Sequence, residues 1–575
     1  MERVVLKNVT VAEAYLRLLA ARGIDYFFAN AGTDFAPMIE AFAKATEEGQ
    51  AHLLPKPITA PHENIAVSMA LGHTLVSGKP QAVMVHVNVG TANALCGLLN
   101  TNRIRLPMLF NAGRTPILEE GMPGARGSFV HWPQEMYDQA GMVREAVKWD
   151  YELRNGLQLE GVVDRALSIA TSGPAGPVYL TLPREVLAST MDEFGYLPGS
   201  GRQAIPGPVA AHAMVVAEVA DLLATARNPL VITSCVGRDP AAMQALAELS
   251  QTFALPVVTY NPRFVELPSD HPMHMGNEPA ELLAQADVVL VVEAAVPWLP
   301  GQCKPRPDAK IVHLGEDPLY GELPIRTYPC DVAIQATPSV ALGQLTEAMA
   351  LSKHADPERV EDRRRRAGAY RARLLSNRAA AWEQASGSSR ITSLQISKAI
   401  DAVKGDDALV FKEGGLRTDH MRFPKPGTFF FAGAAGGLGW SLGAALGAQM
   451  AAPERLVIST VGDGSYMFGT PLAAHYVAAE QQLPVLFVVF NNRGWHAVRR
   501  STRGMYKDGY SARAKPEPLT DFGPDMHYEK VMDVVGGYGE RVEHPDALPH
   551  ALARALAVVR QEKRQALLNV MCLPG

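Results

Sequence analysis

Val461-Gly462-Asp463-Gly464-Ser465, and then, after twenty-five intervening residues, Asn491-Asn492-Arg493-Gly494-Trp495, is the part of this sequence from which the rest can be read. Leu456–Val461 reads as a strand, and Val485–Phe490, a continuous apolar run, as another. Between them Thr470-Pro471 predicts an N-cap followed by a proline at the first helical position, with the helix running to about Gln482. Leu483-Pro484 then turns the chain into the second strand. This is a strand–helix–strand unit of a parallel sheet covered on both faces. The carboxyl ends of its strands deliver the Asp463 carboxylate, an amide oxygen from the Asn491-Asn492 pair and a backbone carbonyl to one point, at the edge where open parallel sheets bind ligands. Hard oxygens suit an Mg2+ ion that keeps a water and bridges a diphosphate. Gly462 and Gly464 let backbone amides approach a phosphate closely. Either half alone reads equally as an ordinary loop or turn; the signal is the pair in this context.

Outward from that unit the same texture recurs twice. Tyr26–Ala29, Ala82–Val87, Pro107–Ala112 and Pro177–Leu182 read as strands of an N-terminal stretch, which includes a helix at Val11–Arg22. A Gly/Pro-rich break at Leu197–Pro208 precedes a middle stretch with strands at Leu230–Cys235, Leu255–Thr259, Ala286–Val292 and Lys310–Leu314. The expected fold is α/β, with three doubly wound parallel-sheet domains at residues 1–190, 205–345 and 390–575 and a linker at 350–385. The linker contains Asp362-Arg363-Arg364-Arg365-Arg366. It reads as a solvated linker helix, because acidic residues are interleaved, or as a phosphate- or nucleic-acid-binding patch.

The 575 residues carry 54 basic and 59 acidic side chains, a net charge of −5, and 47% are apolar. No concentrated basic surface for nucleic acid is expected, nor any disorder of the chain as a whole. No apolar run reaches the roughly 18 residues of a membrane span. The N-terminal residues lack a basic-then-apolar signal pattern, and the five cysteines form no CxxC pair. A reducing cytoplasm is the expected compartment.

The two segments quoted first resemble the cofactor signature of the thiamine-diphosphate-dependent enzymes, the family of acetolactate synthase, benzoylformate decarboxylase and pyruvate decarboxylase. The resemblance covers nearly the whole chain. It implies thiamine diphosphate and Mg2+ as cofactors, with Asp463, Asn492 and the Gly494 carbonyl as metal ligands and Gly462, Gly464 and Ser465 along the diphosphate. Ala60-Pro61-His62-Glu63-Asn64-Ile65-Ala66 resembles the family's His-Glu-x-x-Ala segment, so Glu63 would bond the aminopyrimidine N1′ and act in catalysis. Without the other motifs, Glu63 would read as a helix-terminal glutamate favoured by the macrodipole. Gly436–Ala448 resembles the family's glycine-rich stretch: Gly436 lines the cofactor and Leu438 is the wedge beneath it, while the family's proline is Gly443 here. In this family the glutamate and the metal motif meet across a subunit interface, which implies a homodimer or homotetramer.

The resemblance also bears on substrate. Thr33 falls where benzoylformate decarboxylase-like members carry a serine that touches the substrate carboxylate, and Val85–Asn93 resembles their Leu-His-x-x-x-Gly-Thr-x-Asn, making His86 a candidate catalytic residue. The alternative for His86 is a core-edge histidine. Asp34, Asn88, Gln134, Trp495 and His496 join Thr33 and His86 as candidate pocket residues. Three departures stand out. The pyruvate decarboxylase His-His pair is absent, the second benzoylformate decarboxylase histidine has no counterpart, and Gln134-Glu135 resembles an acetolactate synthase segment. Arg499, Arg500, Arg503, Lys507, Arg513 and Lys515 follow the Asn-Asn segment. They could close over an anionic substrate or an acyl-CoA, or form a solvated loop. Residues 205–345 carry no flavin-specific signal. The expected reaction is decarboxylation of a 2-oxo acid with or without carboligation, making the chain a lyase or transferase. The alternatives are a 2-hydroxyacyl-CoA lyase and, more remotely, a non-catalytic cofactor-binding protein. The expected partners are a small 2-oxo acid, aldehyde or acyl-CoA, with no nucleic acid and no membrane.

Overall fold

Thr10 opens the first helix, Val11–Ala21, through a capping box: its hydroxyl accepts from the Glu13 amide while the Glu13 carboxylate accepts from the Thr10 amide at 2.7 Å. Loss of such a cap costs about 1 kcal/mol. The computed structural model describes residues 2–199, 201 and 203–574. Contacts divide the chain into two units. The first comprises Met1–Pro206, Ala432–Arg541 and Arg554–Val570, and the second Gly207–Phe431, Val542–Ala553 and Met571–Gly575.

The N-terminal strands of the first unit are β1 (Val4–Thr10), β2 (Tyr26–Asn30), β3 (Lys56–Thr59), β4 (Ala82–Val85), β5 (Met108–Arg114), β6 (Asp150–Glu152), β7 (Pro177–Pro183) and β8 (Thr190–Tyr196). The parallel sheet has the order β3–β2–β4–β5–β7–β6, with β4, β5 and β7 almost wholly buried. Their continuous apolar runs are why the sequence reveals them. β1 and β8 form an antiparallel ribbon that is largely exposed, so no apolar run announces it. The expected strand Ala82–Val87 stops at Val85. His86 takes the N-cap position of the helix Val87–Arg103, and Val87 itself has φ 28°.

The second unit holds β9 (Pro229–Thr233), β10 (Val257–Thr259), β11 (Val288–Val292), β12 (Lys310–Gly315) and β13 (Val332–Gln335), all parallel in the doubly wound order β10–β9–β11–β12–β13. It also holds the parallel pair β14 (Leu409–Glu413) and β15 (Phe429–Phe430). The charged segment is one helix, Pro357–Ser386. Arg364, Arg365 and Arg366 are exposed and pair with Glu361 or Asp362 on the same helix, as the solvated reading expects. Arg363 instead is buried, with its guanidinium on the carbonyls of Leu223, Ala224 and Ala226 at the end of the helix Ala213–Thr225.

The first unit is completed by β16 (Val457–Gly462), β17 (Val485–Asn491), β18 (Tyr538–Val542) and β19 (Ala566–Met571), in the order β16–β17–β19–β18. β16 and β17 are parallel, with Gly462 opposite Phe490. The helix between them is Pro471–Glu480, but Thr470 does not cap it through its side chain. Thr470 is left-handed at φ 49°. The helix Trp440–Ala451 packs on the helix Glu63–Ser77 at a distance only glycine permits. A Cβ on Gly72 would overlap the Ala444 carbonyl, one on Gly447 the Met69 carbonyl, and one on Gly443 would come within 2.7 Å of Ser68 Cβ. The small residues of this stretch thus let the two helices approach closely. Among the described residues no helix is long and apolar enough to cross a membrane.

Candidate active site

One helix face gathers much of the site. His86 at the N-cap, Asn93 and Asn100 of the helix Val87–Arg103 are spaced by seven residues, so they stack on one side about 10 Å apart. Each meets a different element.

His86 lies between Asp34 and Gln134. Its Nδ1 is 2.5 Å from Asp34 Oδ1, and its Nε2 is 3.1 Å from Gln134 Nε2. Asp34 is buried, and its other oxygen accepts from the Val87 amide at 3.3 Å. A carboxylate only accepts, so His86 carries its hydrogen on Nδ1 and offers the Nε2 lone pair, to which Gln134 donates. Asn88 donates to the Gln134 carbonyl at 2.9 Å and fixes that partner in turn. Two glycines make the room. A Cβ on Gly32 would overlap the His86 ring, and one on Gly113 would overlap the Asp34 carboxylate. Four of the expected pocket residues, Asp34, His86, Asn88 and Gln134, thus come together. Thr33 is exposed next to Asp34, and its carbonyl accepts from Arg184 at 3.2 Å. Glu135 does something different from Gln134: it pairs with Arg114 at 2.8 Å and Arg126 at 2.5 Å.

Glu63 is the first residue of its helix and is buried. His62 caps that helix by accepting from the Asn64 amide at 3.1 Å. Asn93 donates to Glu63 Oε2 at 3.2 Å. Asn64 reaches the Leu438 carbonyl at 3.4 Å, and Asn100 holds the Gly437 carbonyl at 2.8 Å while accepting from the Gly437 and Ala435 amides. The segments of Glu63 and Leu438 therefore lie together within one chain. The glycine-lined contact between the helices Glu63–Ser77 and Trp440–Ala451 brings them there.

Asp463 does not sit in an open loop: it begins a short helix, Asp463–Phe468. It is buried, accepting from the amides of Gly464 and Gly494 at 3.0 Å each. Burial pushes its carboxyl up to about 6, against the pull of those amides. Asn492 Oδ1 is buried without a hydrogen-bond partner among the described residues. A buried carboxylate beside an orphaned amide oxygen suits a hard cation. The Gly494 carbonyl accepts from the His496 amide at 2.9 Å, which leaves its second lone pair. Gly494 is required for a reason the sequence does not announce: a Cβ there would overlap the Thr520 carbonyl. Trp495 packs over Gly464, where a Cβ would come within 2.5 Å of the indole, and meets Phe522 edge-on at 5.3 Å. Trp495 thus lies against the glycine-aspartate-glycine turn. Gly462 and Ser465 flank Asp463, and Gly436 is an exposed, left-handed glycine at φ 80°.

The basic segment is partly neutralised from within. It starts as the helix His496–Met505, in which Arg499 pairs with Glu517 and Asp521, and Arg503 pairs with Glu517 at 2.9 Å. Arg513 lies over the Tyr510 ring. Sequence reasoning passed over Asn93, Asn100, Gly32 and Gly113. The seven-residue spacing of His86, Asn93 and Asn100 along one helix was a readable sign of Asn93 and Asn100.

Comparison with known proteins accords with this layout. Residues 9–142 match the family model of the thiamine pyrophosphate enzyme N-terminal TPP binding domain, residues 216–345 the central domain, and residues 415–570 the C-terminal TPP binding domain. The chain is 28% identical over 510 residues to a benzoylformate decarboxylase of Pseudomonas aeruginosa, covering 85% of this chain and 87% of that one. It is 25% identical over 577 residues to the acetolactate synthase isozyme 3 large subunit of Escherichia coli, covering 97% and 94%. It is 26% identical over 595 residues to a 2-hydroxyacyl-CoA lyase of Oryza sativa subsp. japonica, covering 97% and 94%. In fold it is similar to the thiamine diphosphate-dependent 4-hydroxybenzoylformate decarboxylase of Rhodococcus jostii RHA1, with a TM-score of 0.77, 23% identity and coverage of 99% and 100%. With three parallel-sheet α/β domains and both TPP-binding domains matched, the chain belongs to the thiamine pyrophosphate enzyme family and is a thiamine-diphosphate-dependent enzyme.

Proposed function

We propose that this enzyme cleaves the carboxylate from a 2-oxo acid, with or without joining the remaining fragment to a second carbonyl. The observation that carries the reading is the helix Val87–Arg103, which presents an Asp34-oriented His86 and the Asn93–Glu63 pair on one face. Thiamine diphosphate, when bound, supplies the electron sink for breaking a bond next to a carbonyl. Asn93 occupies Glu63 Oε2, so Oε1 is the oxygen offered to the aminopyrimidine nitrogen. Asp34 orients His86 so that Nε2 takes or returns a proton at the substrate, or bonds its carboxylate, once Gln134 gives way. Asp463, Asn492 and the Gly494 carbonyl hold Mg2+. Support comes from the buried, unpartnered Asn492 oxygen and the buried Asp463 carboxylate. Gly462, Gly464 and Ser465 line the diphosphate, with Gly436 and Leu438 beside the cofactor. A homodimer or homotetramer is the proposed active assembly, supported by the family resemblance.

The test combines a panel with a variant. Purified enzyme is offered 2-oxo acids, aldehydes and 2-hydroxyacyl-CoAs, with CO2 and carbon products both quantified. CO2 release from a 2-oxo acid is expected, and Glu63→Gln should lower turnover by about 100-fold or more with thiamine diphosphate still bound. Cleavage confined to acyl-CoA substrates would transfer the protein to the lyase reading. Undiminished turnover in Glu63→Gln would remove Glu63 from the mechanism.

A further inference from the structure

Arg263, Lys412 and Phe431 belong to the second unit and stand at the carboxyl ends of parallel strands. Arg263 follows β10, Lys412 is the penultimate residue of β14, and Phe431 directly follows β15. Open parallel sheets bind their ligands along this edge. Phe411 of β14 pairs with Phe430 of β15, so Lys412 and Phe431 are the next residues along two neighbouring strands. The Phe431 amide donates to the Arg263 carbonyl at 2.8 Å. The Arg263 amide donates to the Ser234 carbonyl at 2.9 Å and to Glu266 Oε1 at 3.1 Å. The backbone of the group is therefore held in place before any ligand arrives.

Both cations share one aromatic ring. The Arg263 guanidinium lies 4.4 Å from the Phe431 centroid and Lys412 Nζ lies 5.9 Å from it. Among the described residues neither side chain has an ion pair, and Arg263 Nη1 is buried with no hydrogen-bond partner. The neighbouring carboxylates are engaged elsewhere. Asp419 binds Arg417 at 3.0 Å, and Glu266 accepts from the amides of Gly237, Arg263 and Phe264. Burial holds both cations below their ordinary pKa. For Lys412 the charges of Arg417 and Arg263 add to this and Asp419 opposes it. A ring face offsets part of the charge of one cation, but two cations left this way have lost water without gaining an anion.

We propose that Arg263 and Lys412 form an oxyanion-binding site above Phe431, taking the carboxylate or phosphate group of a small molecule. The guanidinium edge supplies a directed donor and the ammonium a movable point charge. The site stands on the second unit alone and does not depend on the reaction proposed above.

The test uses the full-length enzyme saturated with thiamine diphosphate and Mg2+, so that the cofactor's own phosphate site is filled. Inorganic phosphate, and separately acetate, are titrated calorimetrically at constant ionic strength, with chloride as control. The comparison is between the native chain and the variants Arg263→Gln and Lys412→Gln. Saturable binding of phosphate or acetate is expected in the native chain, weakened at least about tenfold in each variant. Preference for phosphate would point to a phosphorylated ligand, and preference for acetate to a carboxylate. Equal binding in native and variant proteins, or an effect that chloride reproduces, would overturn the site. Should Arg263→Gln fail to fold, Lys412→Gln decides alone, because among the described residues the Lys412 ammonium makes no hydrogen bond or ion pair and lies over the Phe431 ring face.

Discussion

Replacing Asp34 by asparagine isolates what orients His86. The carboxylate accepts two hydrogen bonds, from His86 Nδ1 at 2.5 Å and from the Val87 amide at 3.3 Å, on different oxygens. An asparagine of the same shape has one acceptor oxygen and one amino group, so it cannot serve both donors. If its oxygen stays on the Val87 amide, the amino group faces Nδ1, and the imidazole must move its hydrogen to Nε2. Nε2 then points a hydrogen at the Gln134 amino group, which lies 3.1 Å away, and Gln134 must turn over or leave. The lost bond is between imidazole and a buried carboxylate, a class contributing about 1.5–3 kcal/mol. At about 1.4 kcal/mol per factor of ten, kcat/KM should fall by roughly 10- to 150-fold. The assay is CO2 release across pH, alongside near-UV circular dichroism to establish that the fold is kept. The pH profile of the variant should be displaced as well as lowered, which a simple loss of packing does not do. Gly113→Ala provides an independent route to the same effect, because its Cβ would overlap the Asp34 carboxylate. If Asp34→Asn turns over within about twofold of the native enzyme with the same pH profile, His86 does not work through Asp34.

Gly447→Ala should force the helices Glu63–Ser77 and Trp440–Ala451 apart, since its Cβ would overlap the Met69 carbonyl. A stability loss of about 1–3 kcal/mol in urea titration and weakened thiamine diphosphate binding are expected, and an unchanged midpoint would refute the close packing. Asn492→Ala should weaken Mg2+ at least about tenfold in fluorescence-monitored metal titration, with the unfolding midpoint nearly unmoved; equal affinity would take Asn492 out of the ligand set. His475 is fully buried between the Tyr466 hydroxyl at 2.9 Å and Gln565 at 2.8 Å, and burial depresses its pKa to about 4. His73 and His313 are likewise depressed to about 4 by burial. A base depressed in the folded state contributes stability that is complete above its unfolded pKa near 6.5 and is lost as pH falls toward 4. Melting temperature should therefore drop between pH 7 and pH 5, at up to about 1.4 kcal/mol per pH unit for each such histidine. A flat profile over that range would contradict the neutral, buried assignment.

The sheet strands buried on both faces were legible because burial favours continuous apolar runs, as in Val485–Phe490 and Val288–Val292. The ribbon β1–β8 was not, because one face of it meets water. The cofactor segments were legible because a metal and a diphosphate constrain residue type and spacing at once. Thr470 misled, since the capping pattern holds only where the residue before the helix is extended, and close approach of Gly469 to Gly439 puts Thr470 in the left-handed region instead. In the basic run 499–515, the sequence does not show which cations are paired: Glu517 and Asp521, just beyond it, fold back onto Arg499 and Arg503.

By itself, then, the sequence determined the α/β class, the carboxylate and amide at the ends of β16 and β17, and the candidate glutamate and histidine. The class, the carboxylate and the amide follow from periodicity and donor chemistry, and the glutamate and histidine from the resemblance of their short segments to the family's motifs. Tertiary structure decided which of them work together. Only packing shows that Asp34 and Gln134 hold opposite nitrogens of His86 and that Asn93 restrains Glu63. It shows too that a side chain at Gly113 would displace the Asp34 carboxylate, and that Arg263 and Lys412 share one ring with no ion pair among the described residues. Such relations join residues far apart in the chain through a few ångströms of space, and a hydrogen bond or a vacancy at that range has no local sequence signature.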